Sequence, residues 1–183
     1  MVSKYAQSLL AVVTMLSSIS SAYAADVSPA PVAQPAATQT PPPPPARGPA
    51  LALALEAAQT AIATCTANGY KAAVTVVDSA GVPKALLAAD GASQRGVESS
   101  QAKAFTAITY KTTSANVAKQ AEADPVLLAK LSADPKHRAR AGGVPLFVGA
   151  ELVGAIGVGG APGGDKDEAC AQAGLDKIKS RLN

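Results

Sequence analysis

Tryptophan is missing from the 183 residues, aromatic residues make up 3% of them, and histidine occurs once. Such a shortage of rings disfavours modules that stack nucleic-acid bases. One His with two Cys excludes a zinc finger and a three-histidine metal site. Both methionines, Met1 and Met15, precede residue 25, so the rest of the chain offers no thioether. Charge of one sign is lacking too. Sixteen Lys and Arg against 13 Asp and Glu give +3, too mild for the clustered basic face of a nucleic-acid binder. No Gly-x-Ser-x-Gly elbow occurs, and Ser79, Ser99 and Ser100 have no histidine near them in the chain. Calcium-loop and Glu-x-x-His patterns are likewise missing. No catalytic set is legible, so a non-catalytic protein is expected.

What remains is 48% hydrophobic, enough to bury a core. Three segments divide it. Residues 1–24 read as a signal peptide, with Lys4, the apolar run from Leu9 to Val13, and Ala22-Tyr23-Ala24 as the small-x-small cleavage site. The run falls short of the about 20 apolar residues of a membrane span. A periplasmic or secreted protein starting at Ala25, with no membrane insertion after cleavage, is the expectation. Residues 25–49 turn to Pro, Ala, Gln and Thr, including Pro41 to Pro45. Proline fixes φ and lacks a donor, so an extended, disordered spacer is expected there. Residues 50–183 read as one domain.

Within that domain Leu51, Leu55, Ala58, Ile62 and Cys65 mark one helical face, ended by Asn68-Gly69. Ala73 to Val77 suits a strand buried on both faces, and Val82 to Ala89 a second strand after the Asp78-Ser79-Ala80-Gly81 turn. A helix from about Val97 to Lys111 is followed by shorter ones at Ser114 to Ala121 and Pro125 to Leu131. Val144 to Val148 and Leu152 to Val158 form a second hairpin. A final helix starts near Asp167, with Asp165 and Glu168 as its capping box. Strands joined by short turns argue antiparallel pairing and an α+β class.

The glycine-rich stretch Gly154 to Gly164 lies between strand and helix, where a phosphate cradle would sit. It lacks Gly-Lys-Ser/Thr and runs into Asp165, Asp167 and Glu168, whose charges oppose a phosphate. Its glycines are better read as permitting close approach of a ligand or a packed helix. His137 stands within Lys136-His137-Arg138-Ala139-Arg140, and neighbours so charged point to an exposed basic loop. The sharper reading is an iron ligand or part of an anion-binding loop.

Several stretches resemble the haem-binding GlcG/HbpS-like family, which also forms the C-terminal domain of PduO-type corrinoid proteins. They are Val74 to Gly81, Ala89 to Ala92, Ser99 to Ala107, Gly142 to Leu146, Val153 to Gly160 and Asp167 to Leu175. The resemblance implies a profilin-like fold, with an antiparallel sheet of about five strands and terminal helices packed together. It also implies haem or a related tetrapyrrole as ligand, in sequestration or sensing, and frequent homo-oligomers.

Many exported relatives carry a His in the loop after Asp-Gly-Ala, where this chain reads Ser93-Gln94-Arg95-Gly96-Val97. The conventional iron ligands left are His137, Tyr70, Tyr110, Cys65 and Cys170, with His137 first among them. Arg95, or a lysine such as Lys103, would hold a propionate. Export and side-by-side terminal helices together imply a Cys65–Cys170 disulfide. Two buried thiols are the alternative. Beside haem binding stand two other readings: a self-assembling structural or sensory domain, and a small-molecule enzyme of this fold.

Overall fold

The computed structural model describes residues 45–183, so the expected signal peptide, 1–24, and most of the expected spacer, 25–49, lie outside the described residues. Pro49, the last residue of that expected spacer, is buried. Arg47 donates its backbone N–H to Ser79 Oγ at 2.9 Å, and its guanidinium pairs with Glu151.

The elements run α1 (Leu51–Ala67), β1 (Ala73–Asp78), β2 (Pro83–Ala88), α2 (Gln94–Tyr110), α3 (Ser114–Ala123), α4 (Pro125–Ala133), β3 (Gly143–Val148), β4 (Glu151–Gly159) and α5 (Gly164–Ile178). A short 3-10 turn, Lys179–Arg181, follows. The sheet among the described residues has four strands, ordered β2-β1-β4-β3, rather than about five. Every pairing is antiparallel. The α+β class is therefore correct.

Side chains alternate across the sheet, so the central strands feed two layers. Val74 and Val76 of β1, with Ile156 and Val158 of β4, face α1 and α5. Val77 and Ala155 face α2. All six residues of β1 are buried, as the Val-rich run implied. Asp78 Oδ1 accepts from the N–H groups of Ala80 and Val82, both at 2.9 Å, and so makes the turn into β2.

Helix α1 is rotated from its apolar stripe. Its buried face is Ala54, Ala57, Ala58, Ala61 and Cys65, while Leu51 and Leu55 are exposed. Small side chains win because α5 lies very close: a Cβ on Gly174 would stand 2.6 Å from the Ala57 carbonyl oxygen. Across that contact Cys65 and Cys170 form a disulfide, with Cα atoms 5.6 Å apart. The strand glycines serve the same purpose on the other face. Gly157 lies against the Ser100 carbonyl and Ala104 of α2, where any Cβ would collide with backbone.

Helix starts moved for identifiable reasons. Ser93 Oγ accepts from Gly96 N–H at 3.1 Å, so α2 begins three residues before Val97. The Asp165/Glu168 capping box does not form. Helix α5 starts at Gly164 without a side-chain cap, and Glu168 instead accepts from Gly142 N–H at 3.2 Å.

Candidate functional site

Two cavities collect the chemically capable side chains. The first is a polar cleft of about 240 Å³ at the end of β4, lined by Arg95, Lys103, Arg138, Arg140 and Asp167 among others. Lys103 projects from α2 and Asp167 from the first turn of α5. The Lys103 ammonium donates to Asp167 Oδ2 at 2.5 Å and to the Val158 carbonyl at 2.9 Å. The other carboxylate oxygen accepts from Ala161 N–H at 2.9 Å. These side chains are 1% and 5% exposed. Burial pushes the Lys103 ammonium below its ordinary pKa, with the Asp167 carboxylate opposing that shift.

Arg138 and Arg140 reach this cleft from a segment anchored by buried hydroxyls. Arg138 N–H donates to Thr106 Oγ1 at 2.8 Å, and Ser114 Oγ bridges the Arg140 carbonyl and Gly143 N–H at 2.6 and 2.8 Å. The Arg95, Arg138 and Arg140 guanidiniums make no ion pair among the described residues.

The second cavity, about 380 Å³, lies between α3, α4 and the same segment, lined by Ala118, Ala121, Leu128, Leu131 and His137 among others. His137 is not exposed as its charged neighbours implied; its side chain is 9% accessible. The segment sends Arg138 and Arg140 to the polar cleft and presses the imidazole against α2. Ring centroids stand 5.9 Å from Phe105 and 5.6 Å from Tyr110, the latter edge-on. His137 Nδ1 and the Tyr110 hydroxyl are buried without a hydrogen-bond partner among the described residues. Burial pulls the imidazole below its ordinary pKa, with Asp134, 3.7 Å from Nε2, partly opposing. That shift favours the neutral ring, the form that ligates metals.

The residues singled out from sequence therefore fall into separate places. Arg95 and Lys103 share the polar cleft, and His137 sits at the apolar cavity with Tyr110 packed against it. Tyr70 lines a third cavity near Asp90, under the Lys166 ammonium 5.6 Å from its ring centre. Cys65 and Cys170 are spent in the disulfide and drop out as iron ligands. Sequence reasoning missed Arg138, Arg140 and Asp167 as partners of Arg95 and Lys103. The Arg-x-Arg spacing beside His137 was the available signal.

Residues 50–176 match the family model described as haem degrading protein HbpS-like. The chain is similar to the crystal structure of HbpS at 32% identity and a TM-score of 0.68, covering 78% of this chain and 98% of that one. A double mutant of Streptomyces reticuli HbpS gives the same identity and TM-score over 81% and 99% of the two chains. The crystal structure of a PduOC:heme complex shares the fold, with a TM-score of 0.67 at 20% identity over 72% of this chain and 95% of that one. No curated protein matches the sequence.

Proposed function

The chain belongs to the family of haem-degrading, HbpS-like proteins, and we propose that it is an exported protein that binds haem; that it holds haem intact departs from the family's description and rests on the sequence, where no catalytic set is legible. The observation carrying this reading is His137, which lines a cavity with Leu128 and Leu131 and whose Nδ1 has no hydrogen-bond partner among the described residues; that nitrogen is enclosed, so the ring would turn to offer it to iron. Haem calls for an iron ligand with apolar surface beside it; Ala118, Ala121, Leu128 and Leu131 give that surface here, with Glu122 and Ser132 at its polar side. When bound, haem would supply a redox-active iron. His137 would hold that iron, Leu128 and Leu131 would cover the macrocycle, and Tyr110 would orient the imidazole through its ring. Lys130 and Lys136 are near enough to bear on the His137 charge and offer ammonium groups for the propionates. The PduOC relative was crystallised with haem, which supports the same ligand here. Export rests on the leader pattern of residues 1–24 and on the disulfide, a bond that persists outside the cytosol.

A second reading, self-assembly, is favoured by Val126 and Leu128 on α4, which are 79% and 52% exposed beside the cavity. Light scattering of the mature protein would report a single protomer if that reading failed.

The deciding experiment titrates the mature protein with hemin and follows the Soret band. A saturable shift, lost in His137→Ala, is expected. No shift in the wild type ends the haem reading, and an unchanged shift in His137→Ala moves the ligand to Tyr110. Adding ascorbate in air then separates holding from breakdown. A stable band is expected, and its bleaching would overturn the non-catalytic part.

A further inference from the structure

We propose that the polar cleft at the end of β4 is a binding site for a small dicarboxylate, separate from the His137 cavity. Three arginines, Arg95, Arg138 and Arg140, line the cleft, and none of them makes an ion pair among the described residues. The one acid in the cleft, Asp167, is already neutralised by Lys103 at 2.5 Å. The neighbouring acids Asp165 and Glu168 line a different cavity, with Ala115 and Ala169. The cleft therefore carries a net positive charge that its own side chains leave unmatched. A small anion would match it.

Size and shape narrow the ligand. A cleft of about 240 Å³ lies below the range of about 300–1,000 Å³ usual for drug-sized ligands. The walls bring their cations from two directions: Arg95 from the first turn of α2, Arg138 and Arg140 from the segment before β3. Separated forks of this kind suit two carboxylates at opposite ends of a short chain, because each guanidinium pairs with a carboxylate through two parallel bonds. Guanidiniums also pair bidentately with phosphate, so what favours an anion with two charged ends is the placement of Arg95 on one element and of Arg138 and Arg140 on another. The cleft is also built in advance. Thr106 and Ser114 fix the backbone that carries Arg138 and Arg140, and the Lys103–Asp167 pair forms a rigid floor. Pre-set donors reduce the ordering cost of binding.

None of these residues belongs to the proposed haem site, so the two ideas fail independently. The test is calorimetric titration of the full mature chain with succinate, and with inorganic phosphate at matched ionic strength. Saturable succinate binding is expected, stronger than that of phosphate and unchanged in His137→Ala. Arg95→Ala and Arg138→Ala should each weaken it by about tenfold or more, the worth of a charged hydrogen bond. Arg138→Lys, which keeps charge and loses the fork, should also weaken it. Arg95 is exposed, so its replacement leaves the fold intact and a negative result cannot be blamed on unfolding. No succinate binding, equal binding of phosphate, or indifference to Arg95→Ala would overturn the proposal. Competition between succinate and hemin would also overturn it, by making the cleft a seat for haem propionates.

Discussion

Lys103 Nζ stands 2.5 Å from Asp167 Oδ2, and this buried pair ties α2, on one face of the sheet, to the first turn of α5, which packs on the other. Two charges taken from water together are tolerable; one alone is not. Asp167→Asn keeps an acceptor for Ala161 N–H but leaves the ammonium without its counter-charge. It should cost about 3–5 kcal/mol in urea unfolding. Lys103→Met alone strands the carboxylate, while Lys103→Met with Asp167→Asn should recover much of the loss. A coupling energy within about 0.5 kcal/mol of zero across that cycle would show that the pair does not act as a unit.

His137 gives the fold a pH dependence of known sign. Its imidazole is held below the ordinary value of 6.5, chiefly by burial. On acidification from about pH 7 to 5, the unfolded chain takes up a proton on His137 first, while the folded chain resists it. The unfolded state then binds more protons, so stability falls with pH from 6.5 downward. The loss levels off once the folded imidazole is also charged. His137→Gln should flatten this part of the urea-midpoint profile and leave the rest unchanged. A profile identical to wild type would mean that the ring titrates as freely in the fold as out of it.

The parts of the fold legible in sequence were those set by backbone chemistry and strand patterning. The double-faced β1, the Asp78 turn and the second hairpin follow from β-branched runs and turn residues that act locally. Side-chain direction on the helices was less legible. Of the α1 stripe Leu51, Leu55, Ala58, Ile62 and Cys65, Ala58 and Cys65 are buried but the two leucines are exposed, because Gly174 of a helix over a hundred residues away fits only against small side chains. The α5 cap failed for a similar reason, since Glu168 is drawn to the Gly142 N–H. At the site, local charge suggested an exposed His137, whereas Thr106 anchors the next residue and turns the ring inward. Arg95 and Arg138 are 43 positions apart, and no local pattern could announce that they share a cleft.

The disulfide carries a separate expectation. Cys65 and Cys170 close a loop of sequence separation 105 between α1 and α5. Such a loop restricts the unfolded chain strongly, so reduction or a Cys65→Ala/Cys170→Ala variant should cost about 2–5 kcal/mol. Mass spectrometry after alkylating the unreduced, unfolded mature protein should show no modified thiol. Two alkylated thiols would show that the bond does not form. Gly174→Ala tests the same contact, because its new Cβ meets the Ala57 carbonyl at 2.6 Å. Helices tethered by the disulfide have little room to separate, so a loss of about 1–3 kcal/mol is expected.

Tyr110 offers the simplest separation of folding from function. Its hydroxyl is buried without a partner among the described residues, and its ring packs edge-on against His137 at 5.6 Å. A stranded hydroxyl costs about 1–3 kcal/mol of desolvation, while the ring beneath it is useful packing. Tyr110→Phe removes the first and keeps the second, so the ligand-free protein should become more stable by about 1 kcal/mol. Tyr110→Ala removes both and opens a void beside His137, at a cost of about 3–5 kcal/mol by analogy with other aromatic truncations. Urea unfolding of the two variants checks both signs. Retention of an otherwise costly hydroxyl then has a functional explanation if hemin binding depends on it. In that event Tyr110→Phe would shift or weaken the Soret change while raising the stability of the free protein. Tyr110→Phe that destabilises the free protein would show that the hydroxyl is satisfied after all, and would remove it from the candidate site.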